Sequence, residues 1–563
     1  MATTTTITIQ TATELHPISQ YRQPTASSNP PTQKSNHDPL ILPPSPRPAT
    51  LSPAIPNDDP PSPPGATQIS SPRRTLLTVL LLATPLFLTS FTNGLLVVSL
   101  PHIQFDSSLL SPSLLIWPTS AYYLTAGSCL LLSGTLSDVI GAKRVNVFGC
   151  LLGAIFSLAC GFARTGGELI AFRALQGLSY AIVTPSGLSI ISHGIKEGRG
   201  RNMGFAAMGF SQPLGFCVGL VLAGVFVEIG SVGWRVGFWV VGALSFVCFG
   251  LGAWGLPRPP SDGETASATS DEGKIWKRLG REIDWVGVGV ASTGLASLSY
   301  VLATLSAETK DIKKASTIVL VVIASLSVPA FIGWMHRQTK RNRPALIPNS
   351  LWRSGVFTSS CIMVLITNAV LTCMELYSSL FFQEVQEISA SGASVRIIPS
   401  LVTGVLTNIL TGIFVNRMPV FWTVLITSVM SAAAPLLMAL VKTDQPYWEN
   451  AFFAQVLSPI SCDLLFTVGL LIISDVYPKH MQALGGAVFN TCAQLGAAIG
   501  LSVVQVIASS VTNDSKYQDK ESPVALMKGY VVAFWVMFGA MVFCSVVCIL
   551  GLRRVGKVGV KRD

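Results

Sequence analysis

The residues of this sequence best placed to do chemistry are ionisable side chains inside long apolar stretches: Arg173, Glu375 and Asp463. Apolar surroundings disfavour the charged form of a carboxyl group, so either acid could bind and release a proton near neutral pH. An arginine keeps its charge and needs hydrogen-bond partners or a cavity. We therefore predict proton coupling by these three residues. The alternatives are a structural network or snorkelling for Arg173, and a structural or interfacial position for each acid.

A second candidate is the charged turn at residues 134–144, GTLSDVIGAKR, which lies between two apolar segments. Its aspartate and two cations would be costly in lipid, so the turn belongs at a membrane surface. Its glycines permit a tight turn and a close approach of the flanking helices. An ordinary connecting turn is the alternative to a charge-paired conformational latch, which would consist of Gly134, Asp138, Gly141, Lys143 and Arg144.

A third candidate is a run of glycines around a proline in a later apolar segment. Glycines at this spacing make a flat helix face against which another helix can pack. The proline removes one backbone hydrogen bond and permits a kink. Generic small-residue packing is the alternative to a role in transport, which would be carried by Gly209, Gln212, Pro213, Gly215 and Gly219.

Polar and aromatic side chains in other apolar segments are weaker candidates for contacts with a substrate. Each is more often a helix–helix hydrogen-bond partner or an interface anchor. They are Asn93, Tyr122, Tyr123, Asn368, Tyr377, Asn408, Asn490 and Gln494.

Composition excludes several other classes of function. Half of the residues are hydrophobic and only 12% are charged, which is far from the composition of a soluble domain. No phosphate-binding loop, paired Cys-x-x-Cys or Cys/His cluster is present, and His336 and His480 are isolated, so we predict no enzyme, nucleotide, metal or cofactor. The net charge of +10 lies in loops and termini, not on a basic face for nucleic acid.

These candidates must be positioned by membrane-spanning helices. From Thr75 onward, fourteen apolar spans are long enough to cross a hydrocarbon core of about 30 Å. Most Lys and Arg fall on one side if both termini are cytosolic, in agreement with the positive-inside rule. The sequon Asn513-Asp-Ser515 then lies outside, where Asn513 could be glycosylated. The predicted spans are 75–98, 113–133, 146–163, 168–192, 203–227, 235–256, 284–304, 316–334, 356–381, 397–415, 421–441, 451–473, 482–508 and 529–552.

Changes in composition divide the chain into seven segments. The first is rich in Pro, Ser and Thr and cannot bury enough apolar surface to order itself. We predict a disordered cytosolic tail at 1–74, an N-terminal six-helix bundle at 75–256, a cytosolic linker at 257–283, two inserted transmembrane helices at 284–334, a cytosolic loop at 335–355, a C-terminal six-helix bundle at 356–552 and a basic cytosolic tail at 553–563. The predicted fold class is an all-α polytopic membrane protein.

The charged turn resembles the signature loop of the major facilitator superfamily, with Gly134, Leu136, Asp138, Gly141 and Lys143 matching. Val139 and Ala142 stand where that family usually has arginines, which weakens the expected latch. The stretch Leu169-x-x-x-Arg173-x-x-Gln176-Gly177 resembles the family's fourth-helix motif, whose arginine is implicated in proton coupling. The glycine run resembles the antiporter motif of its exporters, with Gln212 before the proline. Together with Gly233-Trp-Arg235, it is similar to fungal aminotriazole-resistance-type exporters of the fourteen-span drug:proton antiporter branch.

This resemblance implies two six-helix bundles with two extra helices and a monomeric transporter that exchanges protons for a small organic substrate. The expected activity is export of a fungal toxin, drug or secondary metabolite across the plasma membrane. A vacuolar or plasma-membrane transporter of a small metabolite, amino acid or borate is the first alternative. A non-transporting membrane sensor is the second, although the long soluble signalling domains typical of sensors are missing.

Overall fold

The computed structural model describes residues 71–107, 110, 114–196, 198–230, 232–257, 280, 283–307, 314–341, 343, 345–414, 418–443, 445–477, 479–553 and 556. All of these belong to one compact unit, Ser62–Asp563. The predicted N-terminal tail, linker and C-terminal tail lie almost entirely outside the described residues.

All regular elements in these ranges are helices, so the predicted fold class is confirmed. They are α1 (Pro72–Ser107), α2 (Trp117–Ile140), α3 (Ala142–Phe162), α4 (Gly166–Gly194), α5 (Arg199–Val227), α6 (Gly233–Gly255), α7 (Trp285–Ala307), α8 (Ala315–Lys340), α9 (Gly355–Leu380), α10 (Ala390–Phe414), α11 (Val420–Ala439), α12 (Ala451–Leu457), α13 (Ile460–Val476), α14 (Lys479–Asn513) and α15 (Pro523–Gly551). A 3₁₀ turn at Leu351–Arg353 precedes α9, and a π-helical turn at Phe381–Val385 continues it.

The helices have the length and composition of membrane spans. Thirteen in the described part of the chain qualify, counting α12 and α13 together, and Trp285–Leu298 in α7 is a shorter apolar helix at the predicted seventh span. A helix satisfies its backbone hydrogen bonds internally, which is what a hydrocarbon environment demands. The structure therefore contains a helix at each of the fourteen predicted positions.

The helices pack in two groups, here called the N-half (α1–α6) and the C-half (α9–α15). In the N-half, α1 packs on α5, α2 on α4, and α3 on both α4 and α6. In the C-half, α9 packs on α14 and α11 on α15. The halves meet where α2 contacts α14 and α5 contacts α10, while α7 and α8 form a hairpin whose α7 touches α2 and α14. The contact between α2 and α14 is therefore one of the surfaces where the two halves meet.

The charged motif at residues 134–144 is not a loop, which corrects the predicted limits of the second and third spans. Helix α2 continues to Ile140 and α3 begins at Ala142, so Gly141 is the single non-helical residue between them. Its φ of 107° lies in a region that favours glycine. The motif is thus a sharp corner between two helices, and Gly141 makes the corner possible.

The twelfth span is broken at Ser458 and Pro459. Helix α12 ends at Leu457 and α13 begins at Ile460. Ser431 of α11 joins the two pieces: its Oγ donates to the Leu457 carbonyl at 2.9 Å and accepts from the Ser461 N–H at 2.9 Å. One hydroxyl therefore satisfies a backbone group on each side of the break.

The hairpin of α7 and α8 is fixed at the start of α7 by Asp284. Its Oδ1 accepts hydrogen bonds from the Gly287 N–H and from Trp334 Nε1 of α8, both at 2.9 Å. The carboxylate therefore caps α7 and ties it to α8.

Candidate substrate and proton site

Arg173 lies near the middle of α4 and is fully buried. Its Nη2 donates to Asn93 Oδ1 at 2.5 Å, its Nη1 to Gln176 Oε1 at 2.5 Å, and its Nε to the Pro118 carbonyl at 3.2 Å. The guanidinium also lies 4.6 Å from the centre of the Tyr122 ring. These partners come from α1, α2 and α4, so one cation holds three helices of the N-half together.

The partners of Arg173 are neutral, which distinguishes this site from a salt bridge. Two amide oxygens and a backbone carbonyl accept hydrogen bonds from its N–H groups. Gln176 in turn donates to Ser157 Oγ of α3 at 2.8 Å. A buried charge is tolerated only when its donors are satisfied. The structural network that the sequence offers as an alternative is therefore present, whether or not Arg173 also acts in proton coupling.

We expect Arg173→Lys to fold but to lose transport. An ammonium group cannot reach the spread of acceptors that the planar guanidinium serves, and each buried acceptor left unpaired costs about 1–3 kcal/mol. Flux in proteoliposomes should fall by at least about tenfold, with a lower melting temperature. Arg235→Lys is the matched control, because Arg235 also binds two carbonyls but is only partly buried at the start of α6. Equal flux in the two variants would contradict this prediction.

Glu375 of α9 and Asp463 of α13 are close enough to interact electrostatically. In the described part of the chain, no cation lies among the electrostatic partners of either carboxyl. Glu375 also acts on Tyr123 of α2, whose hydroxyl is hydrogen bonded to Thr372. Glu375 thus lies beside the surface where the C-half meets the N-half, and Asp463 interacts with it from within the C-half. Two neighbouring carboxylates repel each other, so binding a proton relieves the repulsion.

The break in the twelfth span places Asp463 in the first turn of α13. Asn408 of α10 is its hydrogen-bond partner, and Thr467 donates to Asn408 Oδ1 at 3.3 Å. A Cβ added at Gly404 would lie 2.6 Å from Asp463 Oδ2, so this carboxyl packs directly on the α10 backbone. Asp463 is therefore held in one position by neutral groups.

Aromatic and amide side chains form a third group, here called the tyrosine cluster: Tyr122, Tyr123, Tyr180, Gln212 and Gln494. The ring of Tyr122 lies 5.2 Å from that of Tyr123 and 6.0 Å from that of Tyr180. Tyr180 donates to Gln212 Oε1 at 3.1 Å, and Gln494 Nε2 donates to the Tyr180 hydroxyl at 3.2 Å. The cluster crosses from α4 and α5 in the N-half to α14 in the C-half.

The glycine run of α5 packs against α1 through Gly215 and Gly219. A Cβ added at either residue would overlap a backbone carbonyl of α1, that of Phe87 or Phe91. Pro213 lies inside the continuous helix α5. Gly209, by contrast, has open space around it and takes no part in this contact.

The C-half repeats this packing with residues that our sequence analysis missed. Gly496 and Gly500 of α14 lie against Leu365 and Ala369 of α9, and a Cβ at Gly496 would overlap the Leu365 carbonyl. The signal was available as Gly-Ala-Ala-Ile-Gly, a pair of glycines one helical turn apart. Both halves thus contain one helix pair in which backbones touch.

The predicted latch residues lie at the corner between α2 and α3. Lys143 donates to the Leu256 carbonyl, at the end of α6, at 2.6 Å. Asp138 and Arg144 are exposed, and Gly134 lies 3.8 Å from Pro185 of α4, measured from an added Cβ. Lys143 therefore ties the corner to α6 within the N-half.

Serine hydroxyls join the two halves at the opposite end, where α1 ends and α2 begins. We call this set the serine seam: Ser120, Ser379, Ser391, Ser394, Ser502 and Glu228. Ser120 lies 2.9 Å from Ser502, Ser379 donates to the Val97 carbonyl at 3.0 Å, and Ser394 to the Leu220 carbonyl at 2.9 Å. Ser391 donates to Glu228 at 2.5 Å. The structure is thus closed at this end.

The remaining predicted residues are dispersed. Asn368 donates to the Val364 carbonyl of its own helix, and Tyr377 donates to Gln505 Oε1 at 3.0 Å, within the C-half. Asn490 is a further partner of Tyr180, and Asn513 is exposed at the end of α14. In the described ranges, no group of His, Cys, Asp or Glu could hold a metal ion.

The model of the Major Facilitator Superfamily matches residues 82–403 and 355–562. The chain is 38% identical over 545 residues to "MFS-type transporter 1" of Pyricularia oryzae. The aligned region covers 90% of this chain and 88% of the relative. It is 24% identical to "Efflux pump terJ" of Aspergillus terreus, over 76% of this chain and 78% of the relative.

The chain is also 23% identical to "Aminotriazole resistance protein" of Saccharomyces cerevisiae, over 78% of this chain and 76% of the relative. Among solved structures, a bacterial homologue of the human lysosomal transporter Spinster, inward-facing and unoccupied, superposes with a TM-score of 0.59. That match has 14% identity and covers 86% of this chain and 98% of the other, so it concerns the fold alone.

Proposed function

The chain belongs to the Major Facilitator Superfamily, whose members are membrane transporters and not enzymes, and from this premise we propose that it is a proton-coupled antiporter. It exports a small organic compound, of the toxin, drug or secondary-metabolite class, by alternating access between the N-half and the C-half. The proposed location is the plasma membrane, with both termini cytosolic. The names of two relatives, an efflux pump and an aminotriazole resistance protein, support export.

The observation that carries the proposal is the pair of Glu375 and Asp463. The pair lies in membrane-spanning helices, has no cationic partner in the described part of the chain, and borders through Glu375 the surface where the two halves meet. Groups at that surface change their access when the halves move against each other. A proton bound there on one side can therefore be released on the other.

A proton antiporter needs a mechanical path from the acids to the cargo, and the arrangement of the halves supports one. The broken span holds Asp463, while Gly496 and Gly500 allow α14 to lie directly on α9, the helix of Glu375. Helix α14 also carries Gln494, which binds Tyr180 of the N-half. When Glu375 gains or loses a proton, its charge therefore changes on a helix that packs against α14, and α14 contacts both halves.

The test is flux into proteoliposomes of the full-length protein with an acidic lumen. Four probes are used: radiolabelled 7-hydroxyflavone, tetraphenylphosphonium and an amino acid mixture, and boric acid enriched in ¹⁰B and measured by mass spectrometry. We expect an aromatic probe to accumulate while protons leave the lumen, and accumulation to stop when an ionophore collapses the pH gradient. Accumulation that survives the ionophore would overturn proton coupling, and uptake confined to amino acids or boric acid would overturn the proposed cargo.

A further inference from the structure

Three side chains form a chain of hydrogen bonds between the two halves, which we call the Tyr180 bridge. Gln494 of α14 donates to the Tyr180 hydroxyl at 3.2 Å, and that hydroxyl donates to Gln212 Oε1 of α5 at 3.1 Å. Asn490 of α14 is a further partner of Tyr180. Gln212 is the residue at which the glycine run departs from the related antiporter pattern.

The bridge is buried because the halves touch around it. Tyr180 is 2% exposed, and a Cβ added at Gly127 of α2 would lie 3.1 Å from the Cβ of Gln494. When α14 moves away from α2 and α4, this contact opens and the bridge is cut. The Tyr180–Gln212 bond lies within the N-half and remains. The Gln494 amide then needs a new acceptor and the Tyr180 hydroxyl loses a donor, and a polar group without a partner costs about 1–3 kcal/mol.

The surroundings of the bridge define the shape of a compound that could supply those partners. The rings of Tyr122, Tyr123 and Tyr180 are neighbours with centroids 5.2–6.0 Å apart. Aromatic side chains pack well against flat rings, and the amides beside them supply both donors and acceptors. The complementary compound is a flat aromatic one that carries hydroxyl or carbonyl groups.

The charges near the bridge indicate that this compound is neutral. Arg173 lies against Tyr122, so a cation at the bridge would be repelled. An anion would have to compete with partners that Arg173 already binds, which include Asn93, Gln176 and the Pro118 carbonyl. Glu375 and Asp463 bind the proton in the proposed function and are not assigned to the cargo.

We propose that the Tyr180 bridge is the specificity element of the cargo site and that it binds a neutral, hydroxylated aromatic compound in place of the hydrogen bond between Gln494 and Tyr180. This inference rests on the proposed export function and assigns its substrate class. When the site is empty and the halves are together, Gln494 binds Tyr180. When the halves separate, the Gln494 amide and the Tyr180 hydroxyl become available to the cargo.

The test is binding of tritiated 7-hydroxyflavone to the purified full-length protein, at a pH where its hydroxyl is protonated. Unlabelled 7-hydroxyflavone, 7-methoxyflavone and tetraphenylphosphonium are the competitors. We expect a preference of at least about tenfold for the hydroxyl compound over its methyl ether, because a site built to hydrogen bond rejects an analogue that lacks the donor. Tyr180→Phe and Gln494→Leu should each reduce this preference to below about twofold.

Tyr300→Phe is the matched control, because Tyr300 of α7 is 58% exposed. It should keep the full preference. Equal binding of the two flavones by the wild type, or displacement by tetraphenylphosphonium alone, would overturn the inference. So would a preference that survives in both bridge variants. Each of these results is compatible with proton-driven flux in proteoliposomes, so failure of the inference is distinguishable from failure of the proposed function.

Discussion

The Asp463→Asn protein is expected to show no net flux driven by a pH gradient, and Glu375→Gln the same. Both substitutions keep the size of the side chain and its hydrogen-bonding capacity but remove the site that takes up a proton. Asp463 is held by Asn408, so an amide there can still hydrogen bond and the break in the twelfth span should persist. The measurement is accumulation of a transported probe in proteoliposomes with an acidic lumen.

Exchange of probe for probe without a gradient should survive in both variants, since cargo binding and movement of the halves remain possible. Glu384→Gln is the matched control: Glu384 follows Glu375 in the same span, is partly buried and is hydrogen bonded to Tyr530 within the C-half. Full gradient-driven flux is expected there. Loss of exchange together with driven flux in the Asp463 and Glu375 variants would mean that the two acids hold the fold and do not couple protons.

The Gly219→Ala protein is expected not to reach a stable fold. A methyl group at this position would occupy the place of the Phe91 carbonyl, which is rigid backbone, so α1 and α5 would have to separate. Overpacking of a close contact costs roughly 1–3 kcal/mol and more when backbone must move. The measurement is the yield of monodisperse protein in detergent and its melting temperature.

Gly209→Ala is the control from the same helix, because the space around Gly209 is open. Alanine is a better helix former than glycine by about 1 kcal/mol, so this variant should be as stable as the wild type or more so. Gly496→Ala should fail as Gly219→Ala does, since it meets the Leu365 carbonyl in the C-half. A stable Gly219→Ala protein with normal flux would show that the α1–α5 contact is not required.

The sequence was sufficient to predict the helices but not the contacts between side chains of different helices. Hydropathy located every span because it is a local property of the chain. The bond from Arg173 to Gln176 follows from helical spacing alone, whereas Asn93 and Tyr122 come from other helices and depend on packing.

The sequence predicted individual residues of the site but not which of them contact one another. Glu375 and Asp463 were selected one by one for their cost in lipid, and nothing in their spacing indicates that they are neighbours. Tyr180 was missed because a tyrosine in an apolar span is ordinary. Its role depends on Gln212 and Gln494, which reach it only when α4, α5 and α14 come together.

The serine seam has an electrical consequence. Its bonds join hydroxyl and carbonyl groups, with Glu228 as the one carboxyl in the set. Salt screens interactions between charges, and a membrane voltage does work of about 2.3 kcal/mol per 100 mV on each charge that crosses it. Neutral hydroxyl and carbonyl groups respond only weakly to salt and to membrane voltage. When each of these hydrogen bonds is replaced by one to water, the net cost is roughly 0.5–1.5 kcal/mol. Ionic strength and voltage should therefore leave the opening of the seam nearly unchanged, and the voltage dependence of the cycle should report the charge on Glu375 and Asp463.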